Sequence, residues 1–254
     1  MKYIIAILYS FWLINSFGQD LNNKKDCIEL INSIDISHLW TTDRIQIEED
    51  TSTIERMKPI GFIGDNYRRF HIHFISVIKN PVKANEYLIY GKTKVKNNIC
   101  EFQGKIEIKE AYTYVYQDIS ELMQGEINGT YEFYENPSEN GSGIFIGEFT
   151  TDFFINQNDE IKYNGLTIMA DGFKNNQFEG TWTSYESEKT KICNWGDYRI
   201  PNSGNLDIGA GEFSPDEKYN NMGWENYRLA YKGYDVNELS KKALIKENEE
   251  WWEK

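Results

Sequence analysis

Histidine, cysteine and proline are scarce in this chain, with three His, three Cys and five Pro among 254 residues. So few histidines leave little from which to build a Ser-His-Asp or Cys-His machine, and no GxSxG elbow is present. Cys27, Cys100 and Cys193 stand too far apart for a CxxC redox or zinc motif. No Pro- or Ser-rich tract divides the chain, so a single folded unit is expected. Positive charge is also short: 27 Lys and Arg against 40 Asp and Glu give a net charge of −13. A surface of that sign repels nucleic acid and anionic membranes. No apolar run reaches the ~20 residues that a spanning helix needs. "GNLDIGAGEF" has neither the lysine of a P-loop nor a GxGxxG between strand and helix, and the sequence implies no cofactor.

Aromatic residues are plentiful: 17 Tyr, 14 Phe and 7 Trp, or 15% of the chain. They suit pleated surfaces and bury large areas. From residue 69 onward the apolar positions recur with a period of two. "NYRRFHIHFISVI" puts Phe70, Ile72 and Phe74 on one face and His71 and His73 on the other. Further alternating runs follow about every dozen residues, separated by polar turns at Asn97-Asn98, "PSENGSG", "NQND" and "DGFKNN". The expected fold is mainly β, an antiparallel meander closing into a barrel or a sandwich, with short N- and C-terminal helices. Charges along one face of "KTKVKN" and "KIEIKE" argue against an outer-membrane barrel.

The ends differ from the middle. Residues 1–18 have the form of a secretory signal peptide: Lys2, an apolar core at 3–14, then Ser16-Phe17-Gly18. The chain is therefore expected to be exported, to a periplasmic or extracellular place, with no membrane span in its mature form. Residues 19–36 carry Cys27, Leu30, Ile31 and Ile34 at helical spacing. Residues 37–234 make the barrel-like domain, ending in an irregular aromatic loop. Residues 235–254 form a helix with Asp235 as N-cap and Glu238 completing a capping box. In an oxidising compartment Cys100 and Cys193, both in strand-like surroundings, are the pair ranked first for a disulfide.

The Gly-aromatic repeats "GTY" at 129–131, "GIFIGEF" at 143–149 and "GTW" at 180–182 resemble those of lipocalin- and avidin-type (calycin-like) barrels. They cover about a third of the mature chain, and the lipocalin Gly-x-Trp lies on the first strand rather than this deep in the meander. The order "GFIGDNYRRFHIHFISVIKN", "YGKTKVKNNICEFQGKI", "FEGTWTSY" and "CNWGDYRIPNSGNLDIGAGEF" is similar to a group of exported, β-rich Bacteroidetes proteins. That resemblance spans most of the chain and implies export and a β fold, but no activity.

Three places are candidates for function. His71 and His73 point the same way from one strand and suit a shared metal ion, with His38 or Glu101 as a third ligand. The stretch 193–213 holds Asp197, Asp207 and Glu212, whose carboxyl groups would need to lie about 5–9 Å apart for glycoside chemistry. The alternative for that stretch is a structured loop in which Gly209 and Gly211 take unusual φ, Asp207 caps amides, and Trp195, Tyr198 and Trp224 pack the loop on the barrel end. A pocket inside the barrel or at a mouth would be rimmed by Trp182, Trp195, Tyr198 and Trp224, beside Arg199. The reading taken forward is an exported binding or interaction module rather than an enzyme. Its partner would be a small apolar molecule or a glycan. The alternatives are a metal- or carboxylate-dependent hydrolase outside the cytoplasm, and an acidic inhibitor or immunity-type protein capturing a cationic protein.

Overall fold

The computed structural model describes residues 23–47, 52–117, 119, 122–231 and 237–253. In chain order the elements are β1 (Lys24–Asp26), α1 (Ile28–Ser33), α2 (His38–Thr41), β2 (Arg44–Gln46), β3 (Thr53–Glu55), β4 (Ile60–Ile63) and β5 (Arg68–Lys79). They continue with β6 (Glu86–Val95), β7 (Asn98–Tyr114), β8 (Met123–Glu135), β9 (Gly143–Ile155), β10 (Ile161–Tyr163), β11 (Asn175–Ser184) and β12 (Thr190–Asp197). Two helices close the chain, α3 (Glu225–Tyr231) and α4 (Glu238–Glu247). The expected antiparallel meander is present. Eight strands pair in the order β4-β5-β6-β7-β8-β9-β11-β12, and β12 pairs back to β4, so the ladder returns on itself as a ring. β1 and β10 hang on β7 and β9, and β2 pairs with β3 alone.

Side chains from alternate positions fill the ring. Across one row run Gly129, Phe149, Phe178, Trp195, Gly61, Phe70 and Val95, each opposite the next. Phe178 stacks on Trp195 at 4.9 Å, and Tyr131, Phe70 and Phe145 meet the same indole within 6.3 Å. The Gly-aromatic repeats acquire a physical meaning here. Gly129 lies opposite Phe149, and a Cβ on it would sit 2.5 Å from that ring. Gly147 and Gly180 lie side by side beneath the Tyr131 hydroxyl, which would meet a Cβ on either within 2.7 Å. Glycine appears where a large ring must cross the backbone of the facing strand.

Several local expectations change. The β6–β7 turn is Lys96-Asn97, with the positive φ of 57° on Lys96, because Val95 pairs with Asn98. The described part of the N-terminal segment holds a strand, Lys24–Asp26, and its helix is confined to Ile28–Ser33. At the C-terminus Asp235 lies outside the described residues. The N-cap is Asn237, whose side chain accepts from Ser240 N while Ser240 Oγ accepts from Asn237 N. Of the face expected for that helix, Ala243 is buried whereas Leu239 is 64% exposed. Among the described residues no helix is long and apolar enough to cross a membrane.

Candidate functional site

The two ends of the ring are built differently. At the end that carries the β5–β6 turn, α2 inserts Trp40 among the core rings, edge-on to Tyr87 at 5.1 Å and to Phe149 at 5.8 Å. A buried polar chain fastens it: Trp40 Nε1 donates to Thr151 Oγ1, Thr151 Oγ1 to Asn176 Oδ1, and Asn176 Nδ2 to Asp197. Asn176 Nδ2 also donates to the carbonyl of Leu39, and Arg56 to that of Trp40. Asp197 further accepts from Tyr163 Oη at 3.1 Å and pairs with Arg56 at 3.6 Å. Burial raises its pKa, opposed by Arg56 and by the bonds from Asn176 and Tyr163. The space beside it is about 50 Å³, room for a few waters only. Asp197 thus anchors a plug.

The other end is open. The turns β4–β5, β6–β7, β8–β9 and β11–β12 surround a cleft of about 780 Å³, within the range of small-molecule sites, roughly 300–1,000 Å³. Ile63, Phe70 and Phe145 form its apolar wall with Trp182, which lies opposite Phe145 on the neighbouring strand. Glu135, 4% exposed and the last residue of β8, also lines it. It accepts from Trp182 Nε1 at 2.9 Å, from Gly143 N at 2.8 Å and, in a very short bond, from Thr93 Oγ1. Burial raises its pKa, and these three donors oppose that rise. Its bonds fix the indole plane of Trp182, which Lys191 Nζ covers at 5.3 Å.

Strand parity accounts for the change of character from core to mouth. The inward row of β5 runs Arg68, Phe70, Ile72, and that of β12 runs Lys191, Cys193, Trp195. The last inward position of each is therefore cationic. β8 also ends its inward row in a charged residue, but of the other sign: Tyr131, Phe133, Glu135. Asn66, Asn98 and Asn140 add amide groups around the opening.

The residues singled out from sequence scatter. Trp182 lines this cleft, whereas Trp195 is 2% exposed at the centre of the packed ring rather than at a rim. Trp224 lies outside the ring, in a separate cluster with Phe62, Phe213 and Tyr227 on the outer side of β4. Tyr198 packs on Phe173 at 5.0 Å, with φ of 64°. Arg199 pairs with Asp207 at 2.7 Å and donates to the carbonyls of Gly209, Ala210 and Gly211, while Asp207 accepts from Gly209 N and Ser214 N. That is a self-fastened loop. Glu212 is exposed. The three carboxylates of 193–213 thus have separate surroundings: Asp197 in the plug, Asp207 within the loop, Glu212 at the surface.

His71 and His73 do share a face, but the C-terminus covers it. Trp252 stacks on His73 at 3.8 Å and Trp251 meets His71 edge-on at 6.0 Å. Burial, with Arg69, Lys94 and Lys58 nearby, holds the His71 pKa well below its usual range. His38 is engaged with the carbonyl of Ile161 at 2.7 Å. Among the described residues no group of three or more His, Cys, Asp or Glu could hold a metal ion. The expected disulfide is not formed: Cys27, Cys100 and Cys193 are all free. Cys100 on β7 and Cys193 on β12 lie four strands apart around the ring, and burial pushes both thiols' pKa values up, that of Cys100 to about 12.

Sequence reasoning missed Glu135, Thr93, Arg68 and Lys191. The available signal was a polar residue completing an otherwise apolar inward row beside a turn. No protein-family model, curated protein or solved structure matches the chain.

Proposed function

We propose that the chain is an exported binding module that takes up a small molecule through the open mouth of the ring, without chemistry of its own. The observation that carries this reading is the contrast between the ends: one plugged by Trp40 and the Asp197 network, the other a cleft of about 780 Å³. The interior below is filled by stacked rings, so a ligand rests at the mouth instead of threading the core. Export rests on the leader-like residues 1–18, which lie outside the described part of the chain.

Trp182 supplies the reporter, because its ring stands in the cleft and Glu135 fixes its plane. A panel of fatty acids, aromatic acids and oligosaccharides would be screened by thermal shift and tryptophan fluorescence. A ligand should stabilise the wild type and quench or shift its emission, with both effects weakened in Trp182→Leu. A panel with no binder, or binders indifferent to Trp182→Leu, would reject this site. Processing and localisation would be read from the N-terminal sequence of protein recovered from culture fractions.

A further inference from the structure

Resting on that reading, we infer that the ligand of the mouth is an organic anion, a carboxylate carried on an apolar body, held by Arg68, Lys96 and Lys191. The chain as a whole is at −13, yet three cations and two carboxylates, Asp65 and Glu135, line this cleft. One of the two carboxylates, Glu135, is turned to internal use: it is buried and already accepts from Thr93, Trp182 and Gly143. The cations are differently placed. Lys96 and Lys191 are exposed and form no ion pair among the described residues. Arg68 spends one nitrogen on the carbonyl of Asn221 at 3.0 Å.

Arg68 and Lys191 hold inward positions on β5 and β12, which flank the short β4, so both project from the same side of the opening. Both lysines line the cleft together with Phe70, Trp182 and Phe145, and Lys191 Nζ lies over the Trp182 ring at 5.3 Å. A carboxylate at the rim would receive charge-assisted donors from two or three sides, while its hydrocarbon or aromatic part displaces water from the apolar wall. A cationic ligand would meet the same three charges as repulsion, and a neutral one would leave them unused.

The test is calorimetric titration of the intact protein with three ligands of matched chain: decanoate, decanol and decyltrimethylammonium. Decanoate should bind, with affinity at least about tenfold above decanol, falling as salt is raised. Lys96→Met with Lys191→Met should remove about tenfold or more of the decanoate affinity and leave decanol unaffected, while Lys191→Arg should preserve it. Lys191 covers the Trp182 ring at 5.3 Å, so circular dichroism and Trp182 emission of the double variant check that the fold and the ring are kept. Decanol or the ammonium binding as tightly as decanoate would overturn the anion inference and leave the mouth as a binding site. So would a double variant with unchanged decanoate affinity. Binding by none of the three would overturn both.

Discussion

Acidification should loosen this protein through two histidines trapped beneath the C-terminal tryptophans, and His73 allows the size to be worked out. Its ring is stacked on Trp252, with Asp43, Lys58 and Arg56 as charged neighbours. Burial is the main cause that lowers its pKa from 6.5 to about 4, with Lys58 and Arg56 adding to it and Asp43 opposing it. The unfolded chain therefore takes up the proton as pH falls through 6.5, whereas the folded one declines it until about 4. Stability from this group is complete above 6.5, is lost across that window, and is level below it. At pH 5 the loss is about 1–2 kcal/mol, the lower part of the range allowing for the ring's partial exposure. Total stability against pH would mislead, because Asp152 works in the opposite direction: burial, with Glu126, lifts its pKa to about 7, so it favours the fold as pH falls. The assay is thus a difference. Urea unfolding of the wild type and of His73→Phe, which keeps the stack, would be compared at pH 7.5 and pH 5. The wild type should lose about 1–2 kcal/mol more than the variant between the two. Equal losses would refute the reasoning.

Other perturbations address the core, the loop and the last helix. Gly129→Ala places a Cβ 2.2 Å from the Glu107 carbonyl and 2.5 Å from Phe149; it should cost about 1–3 kcal/mol, seen as a lower thermal midpoint. Arg199→Met removes the pair with Asp207 and three carbonyl contacts. Proteolysis within residues 207–214 should then become faster while ligand binding at the mouth is unchanged. Asn237→Ala deletes the cap of α4. It should cost about 0.5–2 kcal/mol and expose Trp251 and Trp252 to acrylamide quenching more readily, and an unchanged quenching curve would show that the tryptophans hold without the helix.

The β class was legible because period-two burial is a local signal. "RRFHIHF" already separates Phe70, Ile72 and Phe74 from His71 and His73, and the structure keeps that division. What covers a face is not local. Nothing near His73 in sequence announces that Trp252, 179 positions on, will stack on it. The same limit misled the reading of 193–213. Its carboxylates looked like a cluster along the chain, but Asp197 is the last inward residue of β12 and Asp207 lies ten residues further on in an outer loop. Aromatic rank misled too, since the largest ring, Trp195, went to the centre of the packing.

The sites of interest announce themselves as failures of pattern rather than as motifs. An inward row that ends Phe70 then Arg68, or Cys193 then Lys191, breaks the alternation rule at a cost unless water or a partner meets the charge. At the plugged end the comparable polar residues, Asp197, Asn176 and Thr151, satisfy one another and Trp40. At the mouth Glu135 and Thr93 are likewise satisfied, whereas Lys96 and Lys191 are exposed and Arg68 spends one nitrogen on the Asn221 carbonyl. Internal polar groups that bond each other explain stability. Cations in no ion pair among the described residues, set beside aromatic walls, are what the proposed organic anion would meet.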